Sequence, residues 1–130
     1  MMQTGQTLSG KNPAPGFRDR PEHTITVEPY GKHVTVRSNG AVVASSDNAL
    51  LLKEHVYPPV VYIPFADIDF EKLAATDTST HCPFKGDASY WSVKDGAKDA
   101  MWAYRHPFDE MLEIKDHGAF YPNRVTIETK

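Results

Sequence analysis

The chain has one cysteine, Cys82, so it can form neither an internal disulfide nor a cysteine-rich zinc site. It has no excess of basic residues. Fourteen Lys and Arg face seventeen Asp and Glu, a net charge of −3, which leaves no global field for nucleic-acid phosphates. No apolar run approaches the roughly 18 residues that would span a membrane. The opening MMQTGQTLSGKNPAP has no apolar signal core. These absences lead to the expectation of a cytoplasmic protein with neither nucleic acid nor membrane as partner. Leucine is sparse, at six residues, whereas valine and threonine number ten each and isoleucine five. β-branched residues fit a pleated surface better than a helix, so strands should dominate. The length of 130 residues suits one ordinary domain, and 40% hydrophobic with 24% charged residues is a globular balance.

Residues 1–21 are polar and broken by Pro13, Pro15, Gly16 and Pro21, and read as an N-terminal arm ahead of a single β-rich domain at 22–130. From His23 the residues alternate with period two. Thr24–Val27, His33–Arg37 and Ala41–Ala44 form a predicted three-stranded meander that turns at Asn39-Gly40, a strong hairpin signal. Ala49–Lys53 fits either one helical turn or a short strand. Val60–Ile63 reads as a buried strand ended by Pro64, and Phe65–Leu73 as a short helix or turn. Ala74–Thr80 looks like a polar loop. Residues 88–105 form a predicted hairpin with Trp102 and Tyr104 on one face and Tyr90 and Trp91 on opposite faces. Pro107–Asp116 is the best helix candidate, with Gly118 at its C-terminal cap. The expected fold is mainly β: a compact, single-domain antiparallel sheet with one or two short helices.

The densest chemistry lies in Thr80-His81-Cys82-Pro83-Phe84-Lys85-Gly86-Asp87-Ala88-Ser89-Tyr90-Trp91. An imidazole or ammonium beside a thiol lowers its pKa, and a nucleophile also needs a base within reach. His81 and Cys82 are strand neighbours and would point to opposite faces, so His55 or Lys85 would have to supply that base through the fold. A small buried apolar role is the commoner fate of such a cysteine. His23, His33, His55, His81, His106 and His117 show neither HxH nor HExxH spacing, so no metal is expected. Lys85-Gly86 lacks the glycines and order of a phosphate loop, and no cofactor motif is found.

The aromatic residues mostly suit a core, and with a few polar groups at its mouth such a cluster can wall a pocket. The first functional reading is therefore a domain that binds a small polar molecule. Tyr62, Asp67, Tyr90 and Trp91 are the candidate ligand-binding residues. The second is an enzyme using Cys82, His81 and Lys85, and the third a purely structural or interaction domain. Nothing in the sequence fixes an oligomeric state. The site is expected where the His81–Gly86 turn meets Val60–Asp67, with at least three of His81, Cys82, Lys85, Tyr62 and Asp67 around one cavity. Trp102→Ala is expected to cost more stability than any surface change, as loss of a buried aromatic costs about 3–5 kcal/mol.

Several segments together resemble the domain-of-unknown-function 427 family over about residues 20–127. These are Pro58-Pro59-Val60-Val61-Tyr62-Ile63-Pro64 with Asp67, the stretch from Thr80 to Gly86 with Ala88-Ser89-Tyr90-Trp91, Trp102 and Tyr104, and Gly118-Ala119-Phe120-Tyr121 with Val125. Gly40-Ala41-Val42-Val43-Ala44 is similar to the family's first hairpin, with Ser45 where the family usually has an acidic residue. The resemblance implies a small β-rich bacterial or fungal domain that usually stands alone. It also suggests a fold similar to the tent-like β architecture of small-molecule-binding and sulfoxide-reducing domains. Those relatives often carry CxxC zinc pairs, which a single Cys82 excludes. One family label is that of a nucleotidyltransferase, but no glycine-serine motif followed by paired aspartates occurs in this chain.

Overall fold

A computed structural model describes residues 11–130. It is mainly β, with ten antiparallel strands and short helical turns. In chain order these are the helical turn α1 (Pro15–Asp19), β1 (Ile25–Pro29), β2 (Val34–Ser38), β3 (Ala41–Ser46), β4 (Leu50–Glu54), β5 (Val60–Pro64), β6 (Leu73–Cys82), β7 (Gly86–Val93), β8 (Met101–Tyr104), β9 (His117–Phe120) and β10 (Thr126–Thr129). Tight 3₁₀ turns fill Phe65–Asp67, Phe70–Lys72 and Asp109–Ile114. Seven strands form one sheet in the order β1-β4-β5-β9-β8-β7-β6, and β10-β2-β3 form a second.

The Asn39-Gly40 turn forms as expected, because both residues adopt the positive φ (52° and 83°) that a two-residue hairpin demands. The predicted meander does not. β2 and β3 pair, but β1 leaves them and pairs with β4 in the larger sheet, Val27 opposite Leu52. The third strand beside β2 is β10, about 90 positions further along the sequence, with Ile127 opposite Val36. Of the stretch 49–53, residues 50–53 form strand β4, which runs to Glu54, and not a helical turn. The expected loop at 74–80 is instead part of β6. It is polar because it is the outermost strand of its sheet, and a bulge between Ala75 and Ser79 breaks its pairing with β7. The helix expected at 107–116 is a 3₁₀ segment broken at Met111. Gly118 does not cap it but lies inside β9, and Asp116 (φ 54°) takes the left-handed position.

Of the expected arm, residues 1–10 lie outside the described part. Residues 12–16 are bound to the domain. Asn12 and Asp109 exchange two hydrogen bonds, the Ala14 N–H donates to Glu110, and the Gly16 N–H donates to the Pro83 carbonyl at 2.9 Å. A Cβ at position 16 would sit 2.7 Å from the Phe84 ring, so only glycine lets the backbone come this close.

Strand alternation splits the large sheet into two unlike faces. One packs on the small sheet around Val34, Val36, Val43, Ile63, Met101 and Phe120, with Trp91 sandwiched edge-on by Phe65 and Phe70. The other carries Leu52, Tyr62, Tyr90, Tyr104 and Ala119, covered by Met111 and Ile114 from the 3₁₀ segment, with Cys82, Trp102 and Tyr121 at its margin.

Candidate functional site

The second face curls on itself. β4 and β7 are four places apart in the sheet, which on a flat sheet is about 19 Å at about 4.8 Å per strand. Yet Lys85, in the turn entering β7, places its ammonium 2.5 Å from Glu54 at the end of β4. Both side chains are nearly buried, at 10% and 15% exposure. The other Glu54 oxygen accepts from His23 Nε2 at 2.8 Å, and the His23 ring stacks on Phe84 at 4.0 Å. The Lys85 backbone is fixed as well, its carbonyl accepting from the Phe108 N–H. Burial alone would raise the Glu54 pKa, but the hydrogen bonds from Lys85 and His23 outweigh it and hold the carboxyl below its ordinary value.

Inside this clasp lie the phenols. Tyr62 accepts a hydrogen bond from the Trp102 indole at 3.3 Å, and Tyr90 shares one with Thr80 at 2.9 Å. Trp102 in turn packs against Tyr121 at 4.5 Å. Tyr104 is 7% exposed, and its hydroxyl has no hydrogen-bond partner among the described residues. Burial pushes the Tyr62 and Tyr104 phenols well above the ordinary tyrosine value, and the Glu54 charge pushes the same way. Burial and the neighbouring Tyr90 hydroxyl push Tyr121 up to about 12. These groups stay protonated at neutral pH, so each can donate a hydrogen bond.

The structure divides the candidates named from sequence. Tyr62, Tyr90, Cys82 and Lys85 gather on or beside the curled face. His81 does not: it points to solvent and pairs with Asp87 at 2.7 Å, because strand alternation turns it away from Cys82. Asp67 is on the far side, accepting from the buried Ser46 hydroxyl at 2.6 Å beside a surface depression lined by residues 42–45 and 66–69. Trp91 belongs to the core between the sheets, as its opposite parity to Tyr90 requires. The five residues expected around one cavity therefore separate. Lys85 is not a solvated turn lysine but one partner of a near-buried ion pair.

Sequence reading missed Glu54, His23 and the role of Tyr104. The signal for Glu54 was the alternation Leu50-Leu52-Glu54, which sets a carboxylate on an apolar strand face. Among the described residues no cluster of three His, Cys, Asp or Glu side chains could hold a metal ion, and no helix is long and apolar enough to cross a membrane.

Fold and site together define a small antiparallel β domain with two sheets, one of them curled around a tyrosine-rich face. Residues 26–130 match the family described as Domain of unknown function (DUF427), and the chain belongs to that family. No curated protein matches it.

Proposed function

We propose that the curled face binds a small polar molecule, with Tyr62, Tyr104, Trp102 and Tyr90 as walls and Lys85 at the rim. The observation that carries this is Tyr104, 7% exposed beside Tyr62 and Tyr90, whose hydroxyl has no hydrogen-bond partner among the described residues. A buried donor left unmade costs about 1–3 kcal/mol, so such a group calls for a partner, which a bound molecule or a water would supply. The face opposite, between the sheets, is mainly aliphatic, and its margin Ser46 both donates to Asp67 and accepts from the Asn48 N–H.

The enzyme reading has less support. Cys82 packs at the margin of the phenol cluster, His81 is turned away from it, and the Lys85 ammonium is committed to Glu54. A nucleophile would lack its base. The test is protein-observed NMR of the full chain against a library of small polar fragments. Binders should shift the Trp102 indole and the Tyr62 and Tyr104 ring signals together. Shifts confined to residues 42–45 and 66–69, or none at the tyrosines, would overturn the assignment.

A further inference from the structure

We propose that Ser45, His33 and Asp47, on the small sheet and away from the curled face, form a second site that cleaves small carboxylic esters by acyl transfer to Ser45. A hydroxyl is a weak nucleophile until a base can take its proton, and the base needs a third group to hold its ring. Ser45 has what Cys82 lacks. Its Oγ lies 3.0 Å from His33 Nε2, and the other ring nitrogen, Nδ1, lies 2.7 Å from Asp47 Oδ1. An ionised carboxylate only accepts, so the proton of the neutral ring belongs on Nδ1. That leaves a bare Nε2 turned to Ser45, whose O–H donates to it.

The register of the small sheet builds this array. Val34 is opposite Ser46, and Thr35 is opposite Ser45. Position 33 therefore faces position 47 and lies diagonal to 45, within reach of a long side chain. Val34, Val36 and Ser46 turn inward and are buried, so His33, Ser45 and Asp47 share the outward face. Ser45 is exposed and the His33 side chain is 38% exposed, which leaves both open to a substrate. Two surface depressions flank the pair. Ser45 lines one of about 400 Å³ with residues 42–44 and 66–69, and His33 lines one of about 510 Å³ with Arg37 and Glu128. Arg37 is paired with Glu128, Asp69 with Lys72, and Asp67 takes the Ser46 hydroxyl. Charges so engaged suit an uncharged ester.

The reaction needs only water besides the ester. Ser45 Oγ bonds to the carbonyl carbon as its proton passes to His33 Nε2, and Asp47 stabilises the imidazolium. The C–O bond to the leaving alcohol breaks as His33 returns the proton to that oxygen. Water then attacks the acyl-Ser45 ester by the same route, releasing the acid and restoring the hydroxyl. At a site this open water meets the oxyanion, and Asp47 is 80% exposed, so turnover should be slow beside that of an enclosed triad.

The full chain is treated with a fluorophosphonate, which loses fluoride to a base-activated serine, and the modified residue is located by peptide mass spectrometry. Hydrolysis of 4-nitrophenyl acetate is followed in parallel. The adduct should fall on Ser45, and Ser45→Ala should abolish it and lower ester hydrolysis. His33→Gln should slow labelling by about 100-fold, the smaller end of what a general base contributes. Asp47→Asn, which removes an exposed charge, should slow it by up to about fivefold and is the second variant should His33→Gln misfold. An unlabelled chain, or an adduct on another residue, would overturn the proposal whatever the variants do. So would ester hydrolysis unchanged in Ser45→Ala, which would mean that a histidine or lysine acts alone. Labelling of Ser45 at full rate in a folded His33→Gln or in both other variants would overturn the role of the imidazole and with it the site.

Discussion

The two faces of the large sheet use the same backbone for opposite ends. The face toward β2 and β3 is filled by Val34, Val36, Val43, Ile63, Met101 and Phe120, and buries no charge. The face it turns inward on itself buries four tyrosines or their margins, a tryptophan, and an ion pair that spans the curl. An aliphatic contact asks only for shape and area. Phenols and charges ask for partners, and the inner face does not supply all of them. The difference teaches where stability and where recognition reside: a face can keep an unmet hydroxyl only because the other face already holds the sheet together.

The comparison breaks first on the two tryptophans. Trp91, 9% exposed and gripped by Phe65 and Phe70, belongs to the aliphatic side. Trp91→Ala should cost about 3–5 kcal/mol in chemical denaturation. Trp102 is only half-buried, and its alanine variant should cost about half as much, against the expectation from sequence that it would be the costliest position. Equal midpoints for the two variants would erase the distinction between the faces.

The second test is the clasp. Lys85→Met strands a near-buried carboxylate and should cost about 3 kcal/mol. Adding Glu54→Gln to that variant should restore much of the loss, because it removes the uncompensated charge rather than a contact. A double variant no more stable than Lys85→Met would show that the pair matters by packing alone. A pH titration reads the same group. Glu54 has a folded pKa below its unfolded one, so its contribution is fully present above the ordinary carboxylate range and is lost as pH falls through the depressed folded value. Glu54→Gln should flatten that acid limb of the stability curve.

The smallest effect is the most telling. Tyr104→Phe should leave stability unchanged or raise it by up to about 1 kcal/mol, since it deletes a hydroxyl with no partner among the described residues. Tyr62→Phe should lower stability by about 1 kcal/mol, because the Trp102 indole loses its acceptor. A clear loss in Tyr104→Phe would mean that the hydroxyl is already satisfied and that the inner face is a core like the other.

What could be read from sequence was local. The Asn39-Gly40 turn, the strand at Val60 and the hairpin that sets Tyr90 opposite Trp102 are each specified by a few adjacent residues. The family was legible for the same reason, through the run from Cys82 to Trp91. Choice of partner was not legible. Nothing near Thr24–Val27 says that β1 will prefer β4 to the adjacent β2, because that preference is set by which sheet needs Ile25 and Val27 on its inner face. β6 passed for a loop since an edge strand with solvent on its outer side needs little apolar alternation. The site was half legible. Lys85, Tyr62, Tyr90 and Cys82 were singled out, but the carboxylate that organises them lies 31 residues from Lys85, and His81 and Asp67 were placed with them only by proximity in sequence.

The small sheet also sets a timetable. Its middle strand β2 is hydrogen-bonded on one side by β3, a few residues on, and on the other by β10, with Arg37 bound to Glu128 across 91 positions. The His33 and Lys130 backbones exchange hydrogen bonds at the same seam. During synthesis β2 and β3 emerge well before β10, and one edge of β2 stays open until β10 follows. Pairings of this span make the loop entropy fall due before the contacts return it, which places folding of this chain among the slow, millisecond-to-second topologies. The aliphatic core beneath that seam is complete only when β10 has docked on β2.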